Sequence, residues 1–169
     1  QLYISYLNKM LKIENKIVLK AVLFFSVFTL CSAYFIQYIL GHQPCNLCLI
    51  ERIPYFLSVI FISLILIFKR NEKILVFFII LFFIFGFFVS FYHVGIEKGI
   101  FSESLVCDLT GKKNSLSAQE LLKELESKKI SCKDITFRFF GLSLATLNTL
   151  ISLTLSAIMY KIFKNYEKN

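Results

Sequence analysis

The most distinctive chemical feature of the chain is a pair of cysteines, Cys45 and Cys48, separated by two residues. A disulfide across so short a loop adds only about 2 kcal/mol by chain entropy, so this spacing usually serves reactivity rather than stability. An apolar run follows the pair, which predicts a helix N-terminus whose macrodipole favours a thiolate. Arg52 lies one turn after Cys48 and favours the thiolate of Cys48 as well. The stretch therefore predicts a redox-active dithiol at the start of an apolar helix.

Two further cysteines, Cys107 and Cys132, lie in the second half of the chain. Together with Cys45 and Cys48 they suggest a relay of two disulfides, in which an incoming dithiol reduces the later pair and this pair reduces the earlier one. A structural staple is another interpretation of the later pair, because closing that loop stabilises by about 3.5 kcal/mol. A zinc site of four thiolates is a third. Cys31 lies within an apolar run and is predicted to be a small buried hydrophobic residue.

The composition predicts an integral membrane protein. Of the 169 residues, 57% are hydrophobic and 20 are Phe, and the mean hydropathy is +0.70. Four apolar runs approach the roughly 20 residues that a helix needs to cross about 30 Å of hydrocarbon. They cover residues 17–40, 53–68, 74–94 and 139–163. The chain is therefore predicted to be an all-α bundle of four transmembrane helices, forming a single domain over residues 1–169.

The second run is short, so its helix is expected to begin earlier, within residues 48–52. The first run is too long for a signal peptide and is expected to be retained. With four spans, the loops at 41–52 and 95–138 share one side of the membrane, and the cysteines with them. Lys and Arg are concentrated in the termini and in the tight turn after the second run, which predicts cytoplasmic termini and cysteine loops that face an oxidising compartment. The net charge of +8 is attributed to these anchors and to anionic lipid, not to nucleic acid.

The loop at 95–138 is longer than a loop that only connects two spans, and it is predicted to have a function of its own. Residues 117–120 fit a capping box, so a short helix is expected to run to about residue 129. The sequence contains no motif for haem, flavin or a nicotinamide cofactor. A dithiol at the bilayer edge is accessible to a two-electron acceptor dissolved in lipid, which points to a quinone, either ubiquinone or menaquinone.

Three segments carry a resemblance to a known family. The sequence Gln-Pro-Cys-Asn-Leu-Cys-Leu-Ile-Glu-Arg at 43–52 resembles the Pro-Cys-x-Leu-Cys-x-x-Glu-Arg signature of the DsbB family. Segments 92–97 and 140–148 resemble family segments at the end of the third span and the start of the fourth. The resemblance implies a bacterial inner-membrane protein that reoxidises DsbA, a periplasmic thioredoxin-like dithiol oxidase, and passes the electrons to a quinone.

The resemblance also implies roles for the four loop cysteines. Cys107 would receive the attack of the partner's thiol and form the mixed disulfide, and Cys132 would pass the exchange to Cys45. Cys48 would face the quinone. The segment between Cys107 and Cys132 is rich in Lys and lacks proline and aromatic residues, unlike the best-known members, so the expected partner extends to other thioredoxin-like oxidases that related branches serve.

Arg52 and His93 are the cofactor-binding residues that the resemblance implies. Arg52 would stabilise the Cys48 thiolate and the charge that develops on the quinone, and His93 would lie near the quinone. The other interpretation of His93 is an interfacial histidine with a satisfied hydrogen bond. His42 is predicted to be a hydrated loop residue.

Two alternatives remain, a different enzyme and a protein of another class. A four-helix enzyme like the vitamin K epoxide reductase family also combines quinone-type ligands with two cysteine pairs, but its C-x-x-C pair comes in the last span and the order in this chain is the reverse. A non-catalytic membrane scaffold or metal-binding protein would use the cysteines as staples or ligands. We expect no metal in the oxidase.

Overall fold

The computed structural model describes residues 2–68, 71–102, 132, 138–139 and 141–167. Five helices and one short hairpin occur in these ranges. The helices are α1 (Leu2–Tyr38), α2 (Asn46–Ile50), α3 (Ile53–Phe68), α4 (Glu72–Glu97) and α5 (Leu144–Glu167), and the strands are β1 (Arg138–Phe139) and β2 (Leu142–Ser143). Cys107 and the helix predicted after residue 117 lie outside the described residues.

Four helical stretches are long and apolar enough to cross a membrane. They are Ile13–Tyr38, Asn46–Phe68, Glu72–Glu97 and Leu144–Tyr166. Large apolar side chains such as Phe24, Phe28 and Phe88 are exposed on the outside of the bundle, where a bilayer would cover them. The predicted class, an all-α membrane protein with four spans, is confirmed.

The second span is built from two helices. The short α2 is followed by a turn at Glu51 and Arg52, and α3 continues from it, so that the combined stretch reaches 23 residues. Pro54 is tolerated because it lies in the first turn of α3, where its missing N–H has no helical acceptor. The span therefore begins at Asn46, before the expected range of 48–52, because a separate short helix starts immediately after Cys45.

The start predicted for the fourth span, residue 139, is wrong. Arg138 and Phe139 pair antiparallel with Ser143 and Leu142, and α5 begins only at Leu144. Gly141 turns the chain between the strands with a φ of 81°, a value that favours glycine. The apolar run thus includes a hairpin that hydropathy does not distinguish from helix.

The core holds the helices together through large apolar side chains. Its fully buried members include Leu19 of α1, Ile62 of α3, Val76 and Phe83 of α4, and Met159 of α5. Helix α4 packs against both α3 and α5, whereas α1 packs against α3 and only lightly against α5. A cleft therefore separates α1 from α5 along one side of the bundle.

Close approach of α3 and α4 depends on a glycine. A Cβ added to Gly86 would lie 3.0 Å from Cγ of Pro54, so a larger residue would push the helices apart. Cys31, in contrast, is exposed on the surface of α1. The prediction that Cys31 is buried is wrong, because its position on α1 faces away from the other helices.

A second, smaller cluster lies at the end of the bundle that carries the cysteines. It contains the buried side chains of Cys45, Leu47, Ile96 and Cys132. Cys132 is only 2% exposed although it belongs to the long connection between α4 and α5. The fold thus brings a cysteine of the later pair to the same end of the bundle as the C-x-x-C pair.

Candidate active site

Helix α2 positions the two cysteines of the C-x-x-C pair. Cys45 is the N-cap residue, with extended backbone angles, and its Sγ accepts a hydrogen bond from the backbone N–H of Cys48 at 3.4 Å. The Sγ atoms of Cys45 and Cys48 are 3.0 Å apart, within hydrogen-bond distance for sulfur. Both residues are unbonded thiols in this structure. Capping explains why a cysteine at this position points back over the helix end.

A buried polar network lies behind the dithiol. Nε2 of His93 is 3.6 Å from Sγ of Cys45, and Nδ1 of the same ring is 2.7 Å from Oε1 of Glu51. The second carboxylate oxygen of Glu51 accepts from Nδ2 of Asn148 at 2.9 Å, and the hydroxyl of Tyr55 donates to Oδ1 of Asn148 at 2.5 Å. His93 and Glu51 are 3% and 7% exposed, so their charges depend on these partners instead of water. The network fixes the orientation of the imidazole toward Cys45.

The Cys45 sulfur is poised as a thiolate. Its pKa is lowered to about 4, first because the Cys48 thiol donates to it and then because His93 and the Cys48 backbone N–H face it, against the opposing effect of burial. The sequence placed the thiolate on Cys48, through the helix dipole and Arg52. The structure differs because the N-cap position gives Cys45, not Cys48, the backbone donor and the histidine.

One cysteine of the later pair, Cys132, meets the dithiol at one buried cluster. Cys132 is disulfide-bonded, and its side chain packs in the same cluster as Cys45 and Leu47. Cys107, the predicted site of attack by the partner's thiol, lies outside the described residues.

Arg52 points away from the buried network. Its Nη1 donates to Oε1 of Gln37 at 2.7 Å, and its guanidinium lies 5.1 Å from the ring centroid of Tyr34. Both partners belong to α1, so Arg52 bridges the start of α3 to the first span. The predicted contact between Arg52 and the Cys48 thiolate stays a prediction.

A cavity of about 200 Å³ lies between α1 and α5, beside the dithiol. Its walls include the polar side chains of Cys48, Glu51, Arg52, Tyr55 and Asn148. The remaining lining is supplied mainly by apolar residues of α1 and α5 and by the loop that precedes α2: Thr29, Leu30, Ser32, Ala33, Ile36, His42, Gln43, Pro44, Leu144, Leu147 and Ile151. The cavity is smaller than the roughly 300–1,000 Å³ of pockets that enclose a whole ligand, so it suits a single ring.

A second, apolar groove lies between the same two helices. It shares Ile151 with the cavity and is lined further along by Ala21, Val22, Leu155 and Ile158. His42, predicted to be a hydrated loop residue, is half-buried on the cavity wall. His93 lies behind the dithiol instead of among the residues of that wall, so its predicted place near a quinone stays a prediction.

Sequence reasoning did not select Glu51, Asn148, Tyr55 and Gln37 as site residues. Glu51 and Asn148 belong to the segments that carry the family resemblance, which is the signal that marks them. Tyr55 and Gln37 have no such signal, because only the packing of α1, α3 and α5 brings them to the site. The zinc site considered from the sequence had four thiolate ligands. It did not include His93, whose Nε2 approaches Sγ of Cys45 in the structure.

Comparison with known proteins gives a consistent picture. The sequence model of the family described as "Disulfide bond formation protein DsbB" matches residues 15–162. The chain is similar to an uncharacterized protein, RP370, of Rickettsia prowazekii (strain Madrid E), with 27% identity over 151 residues that cover 88% of each chain. No solved structure matches the chain significantly.

Proposed function

The chain belongs to the DsbB family of disulfide bond formation proteins, and we propose that it reoxidises a thioredoxin-like dithiol oxidase and delivers the electrons to a membrane quinone. A thiol oxidoreductase follows from the family; the partner and the acceptor are our proposal. The single observation that carries it is the position of Cys48 and Arg52 on the wall of a ring-sized cavity between two spans. This places a dithiol beside a space that a lipid-soluble acceptor can enter.

Electrons enter the relay through the later cysteine pair. The thiolate of the partner attacks Cys107, as the family resemblance implies, and a second thiol of the partner resolves the mixed disulfide. The partner leaves with a disulfide, and Cys107 and Cys132 hold the two electrons as thiols. Burial of Cys132 in one cluster with Cys45 supports the next exchange, in which Cys132 attacks an oxidised Cys45 and releases Cys48. Cys107 then attacks Cys132 and releases Cys45, so that the later pair is a disulfide again and the C-x-x-C pair holds the two electrons.

The hydrogen bonds at Cys45 supply the driving force for this exchange. The Cys48 thiol and backbone N–H, together with His93, stabilise Cys45 as a thiolate once the pair is reduced. Stabilising the reduced form makes a disulfide a stronger oxidant, so the C-x-x-C pair draws electrons from the later pair. Return of this thiolate and thiol to the disulfide then releases two electrons and the proton of the Cys48 thiol.

The residues of the cavity fit a quinone. Apolar side chains of α1 and α5 form most of the lining, and Arg52, His42 and Gln43 offer polar groups to ring oxygens. The second groove, which shares Ile151 with the cavity, is apolar and matches an isoprenoid tail. A bound quinone would supply the two-electron acceptor. Arg52, anchored by Gln37 and Tyr34, would hold the headgroup beside Cys48 and favour negative charge there.

The proposed orientation follows from charge and parity. The termini lie in the cytoplasm, and the loops that carry Cys45, Cys48 and Cys132 face the periplasm, where a thioredoxin-like partner resides. The density of Lys and Arg in the termini supports this orientation. The cluster of Cys45 with Cys132 supports the same side for both loops.

A turnover assay with purified protein tests the proposal. The full chain in lipid nanodiscs is mixed with a reduced thioredoxin-like oxidase under anaerobic conditions, with ubiquinone or menaquinone as acceptor. We expect oxidation of the partner that requires one of the two quinones and is lost in Cys48→Ser. Cys31→Ser is the matched control, because it removes an exposed cysteine outside the site.

Two outcomes would overturn the proposal. One is folded wild-type protein that shows no turnover with either quinone and several matched partners. The other is turnover that Cys48→Ser retains in full. A quinone analogue that protects Cys48, but not Cys31, from alkylation would independently support the cavity as the acceptor site.

A further inference from the structure

Three metal-ligating atoms converge at the dithiol. Sγ of Cys45, Sγ of Cys48 and Nε2 of His93 all lie within 4.8 Å of one another. The Cys45 sulfur is 3.0 Å from the Cys48 sulfur and 3.6 Å from the His93 nitrogen. Tetrahedral zinc with Zn–S of about 2.3 Å and Zn–N of about 2.0–2.1 Å places sulfurs about 3.8 Å apart and sulfur and nitrogen about 3.6 Å apart. The distance between Nε2 of His93 and Sγ of Cys45 already matches the zinc value. A small rotation of one cysteine side chain would widen the distance between the two sulfurs to the zinc value.

The histidine is presented as zinc ligands usually are. Its Nδ1 is held by Oε1 of Glu51 at 2.7 Å, which leaves Nε2 directed at the thiols. Glu51 is itself fixed by Asn148, whose Nδ2 donates to the second carboxylate oxygen. A carboxylate bound to the outer nitrogen of a histidine orients the ring and raises its basicity toward a metal. The hydrogen bonds of His93 and Glu51 are thus those that commonly orient a metal-binding histidine.

A fourth ligand is within reach. Oε1 of Glu97, one helical turn after His93, lies 3.9 Å from Nε2 of His93. A carboxylate oxygen is an accepted zinc ligand, and the alternative fourth ligand is a water. Arg52 does not compete for the site, since its guanidinium contacts Gln37 and Tyr34 on α1. Two sulfurs, one imidazole and one carboxylate form a donor set that selects a borderline-soft cation over magnesium or calcium.

We propose that the reduced protein binds one thiophilic divalent cation of the zinc class through Cys45, Cys48 and His93, with Glu97 in reach of the fourth position. Binding releases the thiol proton of Cys48 and any proton on Nε2 of His93, and no electron moves. The same sulfurs cannot ligate a metal and form a disulfide at once. Metal binding and oxidation of the dithiol are therefore mutually exclusive, and the cation holds the site in its reduced state.

Cobalt(II) and zinc(II) titrations of the full chain test this proposal. The protein in nanodiscs is reduced, freed of reductant under anaerobic conditions and titrated with cobalt(II), which reports tetrahedral thiolate ligation by its d–d and charge-transfer bands. Zinc(II) is then added to displace the cobalt. We expect one cobalt per reduced chain, full displacement by zinc, and no such bands when Cys45 and Cys48 are oxidised to a disulfide.

Variants separate this site from the other possible ligand sets. Cys45→Ser and Cys48→Ser should each abolish the charge-transfer bands, and Glu51→Gln should weaken zinc binding roughly 10- to 100-fold by loosening His93. The double variant Cys107→Ser/Cys132→Ser should bind cobalt and zinc as the wild type does. A site of four thiolates would instead lose its metal in this variant. Cys31→Ser is the control for a surface thiol.

The proposal fails if the reduced wild-type protein shows no thiolate–cobalt bands, or if the bands persist in His93→Ala with unchanged zinc affinity. Oxidised wild-type protein serves as the internal control that needs no mutation, so a variant that misfolds does not decide the result. The readout is spectroscopic and independent of turnover. A failed quinone assay with intact metal binding would remove the oxidase proposal and leave the metal site standing.

Discussion

The cysteine end of the bundle and its opposite half bury different kinds of side chain. The opposite half is filled mainly by apolar groups such as Leu19, Phe83 and Met159, and its buried polar residue Asn15 is uncharged. The cysteine end buries Glu51 and His93, which are charged or polar and are held by hydrogen bonds to each other and to further polar groups. Burying such groups costs free energy unless each has a hydrogen-bond or ionic partner. Their presence therefore indicates a role other than packing the helices together.

Stability and chemistry therefore reside in different parts of the bundle. In a bilayer, helices associate through close packing more than through exclusion of water, and the tight contact of Gly86 with Pro54 and the core around Phe83 supply this packing. The cysteine end contributes little apolar core and instead orients sulfurs, a histidine and a cavity. Substitutions at the two regions should therefore affect different measurements.

Loss of Cys45 should have the largest effect. Cys45→Ser removes the sulfur that carries the thiolate and that meets Cys132 in the buried cluster, so we expect no measurable oxidation of the partner with either quinone. Helical content by circular dichroism and resistance to unfolding in detergent should stay near wild type. Retained turnover would show that the two cysteine pairs do not act in series through Cys45.

Phe83→Ala should show the reverse pattern. Phe83 is fully buried and meets Tyr55 edge-on at 5.9 Å, so truncation leaves a cavity and costs about 3 kcal/mol of unfolding free energy. Activity per folded molecule should change little. Phe88→Ala on the same helix is the matched control, because Phe88 is 62% exposed and its loss should cost less than about 0.5 kcal/mol. Equal costs for the two variants would contradict the proposed core.

Arg52→Ala should slow quinone turnover without unfolding the protein. The guanidinium lines the cavity, and loss of a charge-assisted hydrogen bond of about 1.5–3 kcal/mol corresponds to a roughly 10- to 100-fold lower kcat/KM for quinone. Reduction of the protein by its partner should proceed at the wild-type rate in a single-turnover measurement. Arg138→Ala, which removes an exposed arginine of β1, should leave both rates unchanged. Full activity without Arg52 would remove its electrostatic role.

Glu51→Gln should make the dithiol a weaker oxidant. The carboxylate holds Nδ1 of His93, and without its charge the imidazole stabilises the Cys45 thiolate less. A loss of about 1.4 kcal/mol shifts the equilibrium with a reference dithiol roughly tenfold toward the disulfide of the C-x-x-C pair. Glu97→Gln should shift it less, since Glu97 is 3.9 Å from Nε2 of His93. An unchanged equilibrium in Glu51→Gln would show that His93 acts without this support.

The sequence was sufficient for the features that depend on composition and local pattern. Hydropathy predicted four spans, and the spacing of Cys45 and Cys48 predicted a dithiol at a helix start. It was insufficient where long-range packing decides. The approach of His93 to Cys45 joins residues 48 positions apart, and the contact of Glu51 with Asn148 joins residues 97 apart. The same limit explains why the sequence favoured a thiolate on Cys48 and not on Cys45. The Cys45 thiolate depends on the N-cap geometry, which residue types alone do not predict.

Cys31→Ser should have the smallest effect of all. Its neighbours Leu30, Ser32 and Ala33 line the cavity, yet Cys31 is exposed on the other side of α1. A change from thiol to hydroxyl there should leave the rate of quinone turnover unchanged. It should alter the free energy of unfolding by less than about 0.5 kcal/mol. Rates of oxidation and detergent unfolding curves for the variant and wild type provide the measurement. A marked loss of quinone turnover would mean that the acceptor also approaches α1 from its lipid-facing side. The acceptor site would then extend beyond the cavity to the exposed surface of α1.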